Sequence, residues 1–96
     1  MTNEPWLSDA IALVNKSIDI SKTDYKLLIW IFYETMSNRN LAEFISILYK
    51  KNKIDVYFEI DNIITRKVPG DKLEKIQDIM KILQENGFNE WLAADD

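Results

Sequence analysis

The stretch Tyr25–Met36 constrains this chain more than any other. It reads YKLLIWIFYETM, and nine of its twelve residues are apolar or aromatic. On a helix these residues point all round the axis instead of along one stripe. Such a helix is stable only when the rest of the chain packs around it. Its apolar run, Leu27–Tyr33, falls far short of the roughly 20 residues needed to span a membrane. The expectation is therefore a buried central helix over residues 23–36, inside a bundle.

The flanking segments supply the partners. Residues 4–18 carry Trp6, Ala10, Ile11, Val14 and Ile18 at three- and four-residue steps, with Leu7 and Leu13 widening the stripe. That spacing predicts an amphipathic helix, with Asn3 as its cap and Pro5 tolerated in the first turn. Asp19–Lys22 reads as a connector, with Ser21 and Asp24 in capping-box spacing. Ser37–Asn40 is polar and turn-prone, so it ends the central helix. Asn40 and Glu43 form a capping pair for the next helix, whose stripe is Leu41, Phe44, Ile45 and Leu48, and Lys50–Lys53 suits its C-terminal end.

Residues 54–68 fit two structures. Ile54, Val56, Phe58 and Ile60 alternate with Asp55, Tyr57, Glu59 and Asp61, the period of a half-buried strand. A hairpin looping at Asp61–Ile63 would pair Ile60 with Ile64 and Val56 with Val68. Val56, Ile60, Ile63 and Ile64 also share one helical face, with Asp55 as a cap. The alternation and the strong β-formers favour the hairpin, with a further helix as the alternative. After Pro69-Gly70, Asp71 and Glu74 open a helix with the stripe Leu73, Ile76, Ile79, Met80 and Leu83. Asn86-Gly87-Phe88 predicts a left-handed stop at Gly87, and Asn89 a cap for a last turn over Glu90–Ala94. The fold class is thus mainly α: one domain over residues 1–96, a bundle of four to five helices around the central one.

Composition narrows the chemistry. The chain has 96 residues, 47% of them hydrophobic, enough to build a core without metal or disulfide support. It has no cysteine and no histidine. Thiol nucleophiles, thiolate and imidazole metal ligands, and His-activated nucleophiles are therefore excluded. Two glycines cannot form a phosphate-cradling loop. The reading is a protein that is not an enzyme and holds no cofactor. The first residues show no basic and apolar leader pattern, which sets a cytoplasmic expectation.

Charge is uneven along the chain. Residues 1–24 carry net −2, residues 25–53 net +3 and residues 54–96 net −5, for −4 in all. An acidic C-terminal half disfavours nucleic-acid phosphates and suits a basic protein partner. The favoured function is non-catalytic protein–protein binding, as an inhibitor, immunity or adaptor protein. The candidate contact residues are Asp55, Tyr57, Glu59, Asp61, Asp78, Glu85, Glu90 and Trp91. On a strand, Asp55, Glu59 and Asp61 would share a face, with Asp71 nearby. That set could hold a hard divalent cation, but the solvent face of a strand explains it without one.

A second hypothesis is a winged helix-turn-helix DNA binder. Residues 40–52 would be its recognition helix, Asp61-Asn62 its wing tip, and Lys50, Lys51, Lys53, Arg66 and Lys67 its phosphate contacts. The helix start offers Asn40, Glu43 and Ser46 instead of arginine, and the wing tip is acidic. A third is a self-associating structural subunit. Among the aromatics, most are expected in the core. Trp6 and Trp91 lie near opposite ends of the chain, where they could pack together and close the bundle.

Overall fold

The central helix is short because its caps lie inside the segment expected to form it. In a computed structural model, which describes residues 4–94, the Asp24 carboxylate accepts the Lys26 N–H and starts the helix at Tyr25. Thr35 ends it by donating both its N–H (2.9 Å) and its hydroxyl (2.8 Å) to the Phe32 carbonyl. The result is α2, Tyr25–Phe32, instead of 23–36. Leu27, Leu28, Ile29, Ile31 and Phe32 are all buried.

The other helices surround it. They are α1 (Glu4–Ser17), α3 (Asn38–Tyr49), α4 (Lys53–Thr65), α5 (Gly70–Glu85) and α6 (Phe88–Ala93), with a 3-10 turn at Ile20–Lys22. No strand occurs among the described residues. α2 packs against α3, α4 and α5, while α1 lies across α3, α5 and α6. One continuous core joins all six helices, with Val14, Leu28, Ile29, Phe32, Leu41, Phe44, Ile45, Val56, Ile60 and Leu83 at its centre. The Cα radius of gyration is 12.6 Å, close to the roughly 12.5 Å of a folded single domain this long. No described helix is long and apolar enough to cross a membrane.

Residues 54–68 settle as helix α4, not as a hairpin. Asn52 is the deciding residue. Its side-chain oxygen accepts the N–H groups of Ile54 (2.9 Å) and Asp55 (3.2 Å), satisfying two donors that a helix start leaves open. Asp55 is therefore not the cap but a first-turn residue, where its charge complements the helix dipole. Val56, Ile60 and Ile63 turn inward together. A left-handed β-branched Ile63, which the hairpin needed, is avoided.

Other boundaries shift by one or two residues. Ser37, not Asn40, caps α3, and Asp19 caps the 3-10 turn through Ser21. Pro69 precedes α5 with no side-chain cap, so Asp71 lies in the first turn. Gly87 takes φ +112°, the left-handed stop expected of it, and α6 follows directly. Asn89 is thus inside α6 and caps nothing. The expected cap at Asn3 lies outside the described residues.

α1 and α6 close on each other through two indoles, the packing that the sequence offered as one option. Trp6 and Trp91 stack with ring centroids 4.4 Å apart. Each indole N–H donates to the other residue's backbone carbonyl, Trp6 to Trp91 at 3.2 Å and Trp91 to Trp6 at 2.9 Å. Phe32 reaches Phe88 and Trp91 edge-on, so this clasp is seated on α2.

Two stability measurements follow. Trp91→Ala is expected to cost about 3–5 kcal/mol in urea unfolding, the range for a large aromatic lost from a core. Asn52→Ala is expected to cost about 1 kcal/mol as a lost cap, with α4 amides gaining hydrogen exchange before those of α3.

Candidate functional site

The helical form of α4 redistributes its side chains. A strand would have put Asp55, Tyr57, Glu59 and Asp61 on one face. At 100° per residue, Asp55 and Glu59 fall on one flank while Tyr57 and Asp61 fall on the other. No group of three metal-ligating side chains gathers among the described residues. Asp71 stands on α5, a different helix.

Two of the α4 carboxylates are engaged within the fold. Glu59 accepts the Tyr25 hydroxyl at 2.6 Å, and Asp61 accepts the Asn38 side-chain amide at 3.0 Å. These bonds pin α4 to α2 and to the start of α3. Trp30 adds a third tie, its indole N–H donating to the Ile63 carbonyl at 3.0 Å. Tyr49 donates to the Thr23 carbonyl at 3.0 Å, its ring tilted against Tyr25 at 5.9 Å. Lys51 places its ammonium 4.7 Å from the centre of the Tyr25 ring. A shallow groove lies beside this cluster, lined by Ile20, Thr23, Asp24, Tyr25, Leu48 and Tyr49.

The outer face of α4 is the unusual surface. Ile54 is 62% exposed, Tyr57 44% and Phe58 69%. They follow i, i+3, i+4 spacing, so they form one apolar face directed away from Val56, Ile60 and Ile63. Tyr57 and Phe58 meet edge-to-face at 5.7 Å. Single exposed apolar residues need no explanation, but three large ones on two successive turns do. Sequence reading singled out Tyr57 and missed Ile54 and Phe58. It assigned them to the inward face of a strand, where the alternation placed them.

The remaining expected contact residues are divided. Asp78 and Glu85 are exposed on α5, and Glu90 is exposed on α6. α2 lies between these helices and α4, packing on both α4 and α5. Trp91 is only 7% exposed, held against Trp6 and Phe32, so it is a core residue and not a surface anchor.

The basic set also separates. Lys50, Lys51 and Lys53 are exposed at the start of α4, while Arg66 and Lys67 are exposed just past its end. About 18 Å of helix lies between the two groups. The expected wing is absent, because Asp61 and Asn62 lie inside α4. Lys50 takes a left-handed conformation, φ 56°, as it turns the chain from α3 into α4. Comparison with family models, with curated proteins and with solved structures finds no match for this chain.

The tyrosine cluster has a measurable signature. Tyr25 is pushed up to about 12, first by burial, then by its bond to Glu59, and by the negative charges of Glu59 and Asp24. Tyr49 is also pushed up to about 12, by burial and then by Asp24. The fold favours the neutral phenols. Their contribution to stability is complete below pH 10 and is lost as pH rises through about 12. A phenolate absorbance titration should show a late component that shrinks in Tyr25→Phe and again in Tyr49→Phe.

Proposed function

We propose that this protein is a non-catalytic binding module whose partner is another protein, engaged by the outer face of α4. One observation carries this reading: Ile54, Tyr57 and Phe58 stand exposed together on a helix whose opposite face is fully used by the core. A large apolar surface kept in water is a cost that docking would remove. Aromatic side chains at the centre of such a face are the usual anchors of an interface.

The scaffold suits this role. α4 is held by Asn52 at its start, by Tyr25–Glu59 and Asn38–Asp61 along its length, and by Trp30 near its end. A face fixed in advance loses little conformational freedom on binding. The mode of action is occupancy, as expected of an inhibitor, immunity or adaptor protein. With neither histidine nor cysteine in the sequence, no residue is proposed here as catalytic.

Glutamine is a good helix former and leaves the net charge unchanged. Ile54→Gln and Phe58→Gln should therefore shift unfolding stability by no more than about 0.5 kcal/mol each. The two together should abolish recovery of a stoichiometric partner that the wild-type protein retains on an affinity matrix. Equal recovery of that partner by the double variant would remove α4 from the interface.

A further inference from the structure

The apolar face of α4 has a charged frame, and that frame has a sign. Lys50, Lys51 and Lys53 stand at one end, Arg66 and Lys67 at the other, all exposed. Along the helix axis, Phe58 is about 7.5 Å from Lys53 and about 12 Å from Arg66, within the span of long cationic side chains. The only ion pair among the described residues joins Lys72 to Asp24, so none of these five cations has a carboxylate within 4.0 Å there. The α4 dipole strengthens the positive field at the Lys50–Lys53 end, and Arg66 and Lys67 offset the negative end.

The carboxylates are fewer, and two of them accept hydrogen bonds from neutral donors that fix their positions and leave their charge in place. Residues 50–67 contain five cations and three carboxylates, in a chain of net −4. Glu59 is bound by Tyr25 and Asp61 by Asn38. Asp55 forms no ion pair among the described residues, and helical geometry places it on the flank of α4 opposite Tyr57. The acidic side chains that dominate the sequence, including Asp71, Glu74, Asp78 and Glu85, are exposed on α5.

We infer that the partner segment docking on α4 is an acidic amphipathic helix, with apolar side chains at i, i+3/i+4 and i+7 flanked by carboxylates. This rests on the proposed binding function and reverses the basic partner expected from net charge. Charge complementarity selects it. A partner with basic flanks would meet Lys50, Lys53, Arg66 and Lys67 at both ends of the contact. A second copy crossing α4 antiparallel would set Lys50 and Lys51 against Arg66 and Lys67, like charge on like. An anionic membrane carries charge across its whole surface and would press headgroups onto Asp61 in the middle of the face, whereas a peptide can place its carboxylates only at the two ends, beside Lys50–Lys53 and Arg66–Lys67.

The test is selection of a displayed library of helix-forming peptides on the 96-residue protein. Enriched peptides are then synthesised and titrated against the wild type, Phe58→Gln and the double variant Lys53→Gln/Arg66→Gln. The expected winners carry net negative charge and two or three large apolar residues at helical spacing. They should bind Phe58→Gln tenfold or more weakly, bind the double variant several-fold more weakly, and lose affinity as salt rises. Winners of net positive charge that still depend on Phe58 would overturn the acidic class while leaving α4 as the docking face. Winners indifferent to Phe58→Gln would overturn the face itself, and the binding function proposed for it. Two controls assign other occupants and would overturn the peptide. One is Phe58-dependent binding to phosphatidylserine vesicles. The other is Phe58-dependent dimerisation in sedimentation equilibrium. Circular dichroism of each variant confirms that its fold is intact.

Discussion

Everything in this molecule depends on burying α2. Eight residues, Tyr25–Phe32, carry apolar groups around nearly the whole helix, and five are shielded from water. A helix of two turns is unstable alone, so its existence is a tertiary fact. Its neighbours divide its circumference among them. Phe44 of α3 packs on Phe32 from one side, while Phe88 and Trp91 of α6 reach the same ring from another. The polar tips of Tyr25 and Trp30 extend to α4, where each finds an acceptor. No buried side-chain polar atom is left without a partner among the described residues. α2 thus fixes both the packing and the orientation of the helices around it.

That arrangement leaves the outer face of α4 as the surface on which the proposed function rests. α4 is pinned through its inward apolar residues and through three hydrogen bonds from two other helices, α2 and α3. Its outward apolar residues contribute nothing to this fixing, yet they put three exposed large apolar side chains on one helix, where no other described helix carries more than one. Around this face five cations stand against three carboxylates over residues 50–67, so the local charge is positive in a chain of net −4. Net charge describes a protein seen from a distance. A partner at contact meets the local charges, which here have the opposite sign.

The helical periods were readable from sequence where one face alone is apolar. Leu41, Phe44 and Ile45 on α3, and Ile79 and Leu83 on α5, turn inward as their spacing required. The Gly87 stop was readable because only glycine accepts that backbone region without strain. The pairing of Trp6 with Trp91 was readable as a possibility, since two large amphipathic side chains near the chain ends have few other places to be buried. The ends of α2 were not, because Asp24 and Thr35 take backbone groups at either edge of the apolar run, within the 23–36 span that pattern alone would continue. Trp91 was offered as an anchor because residue type marks hot spots and core positions alike.

The sequence by itself determined a helical domain around one buried segment, without thiol or imidazole chemistry. These follow from composition and from periodicity in segments where one period dominates. Only the tertiary structure decided residues 54–68. Their alternation satisfied a strand as well as a helix, because apolar residues stand on both faces of α4. Asn52 capped the start, and Tyr25, Asn38 and Trp30, remote in sequence, supplied partners only a helix could meet. The same decision turned Ile54 and Phe58 from expected core residues into exposed ones. The candidate docking face was hidden in the sequence because it exists only once Val56, Ile60 and Ile63 have taken the core.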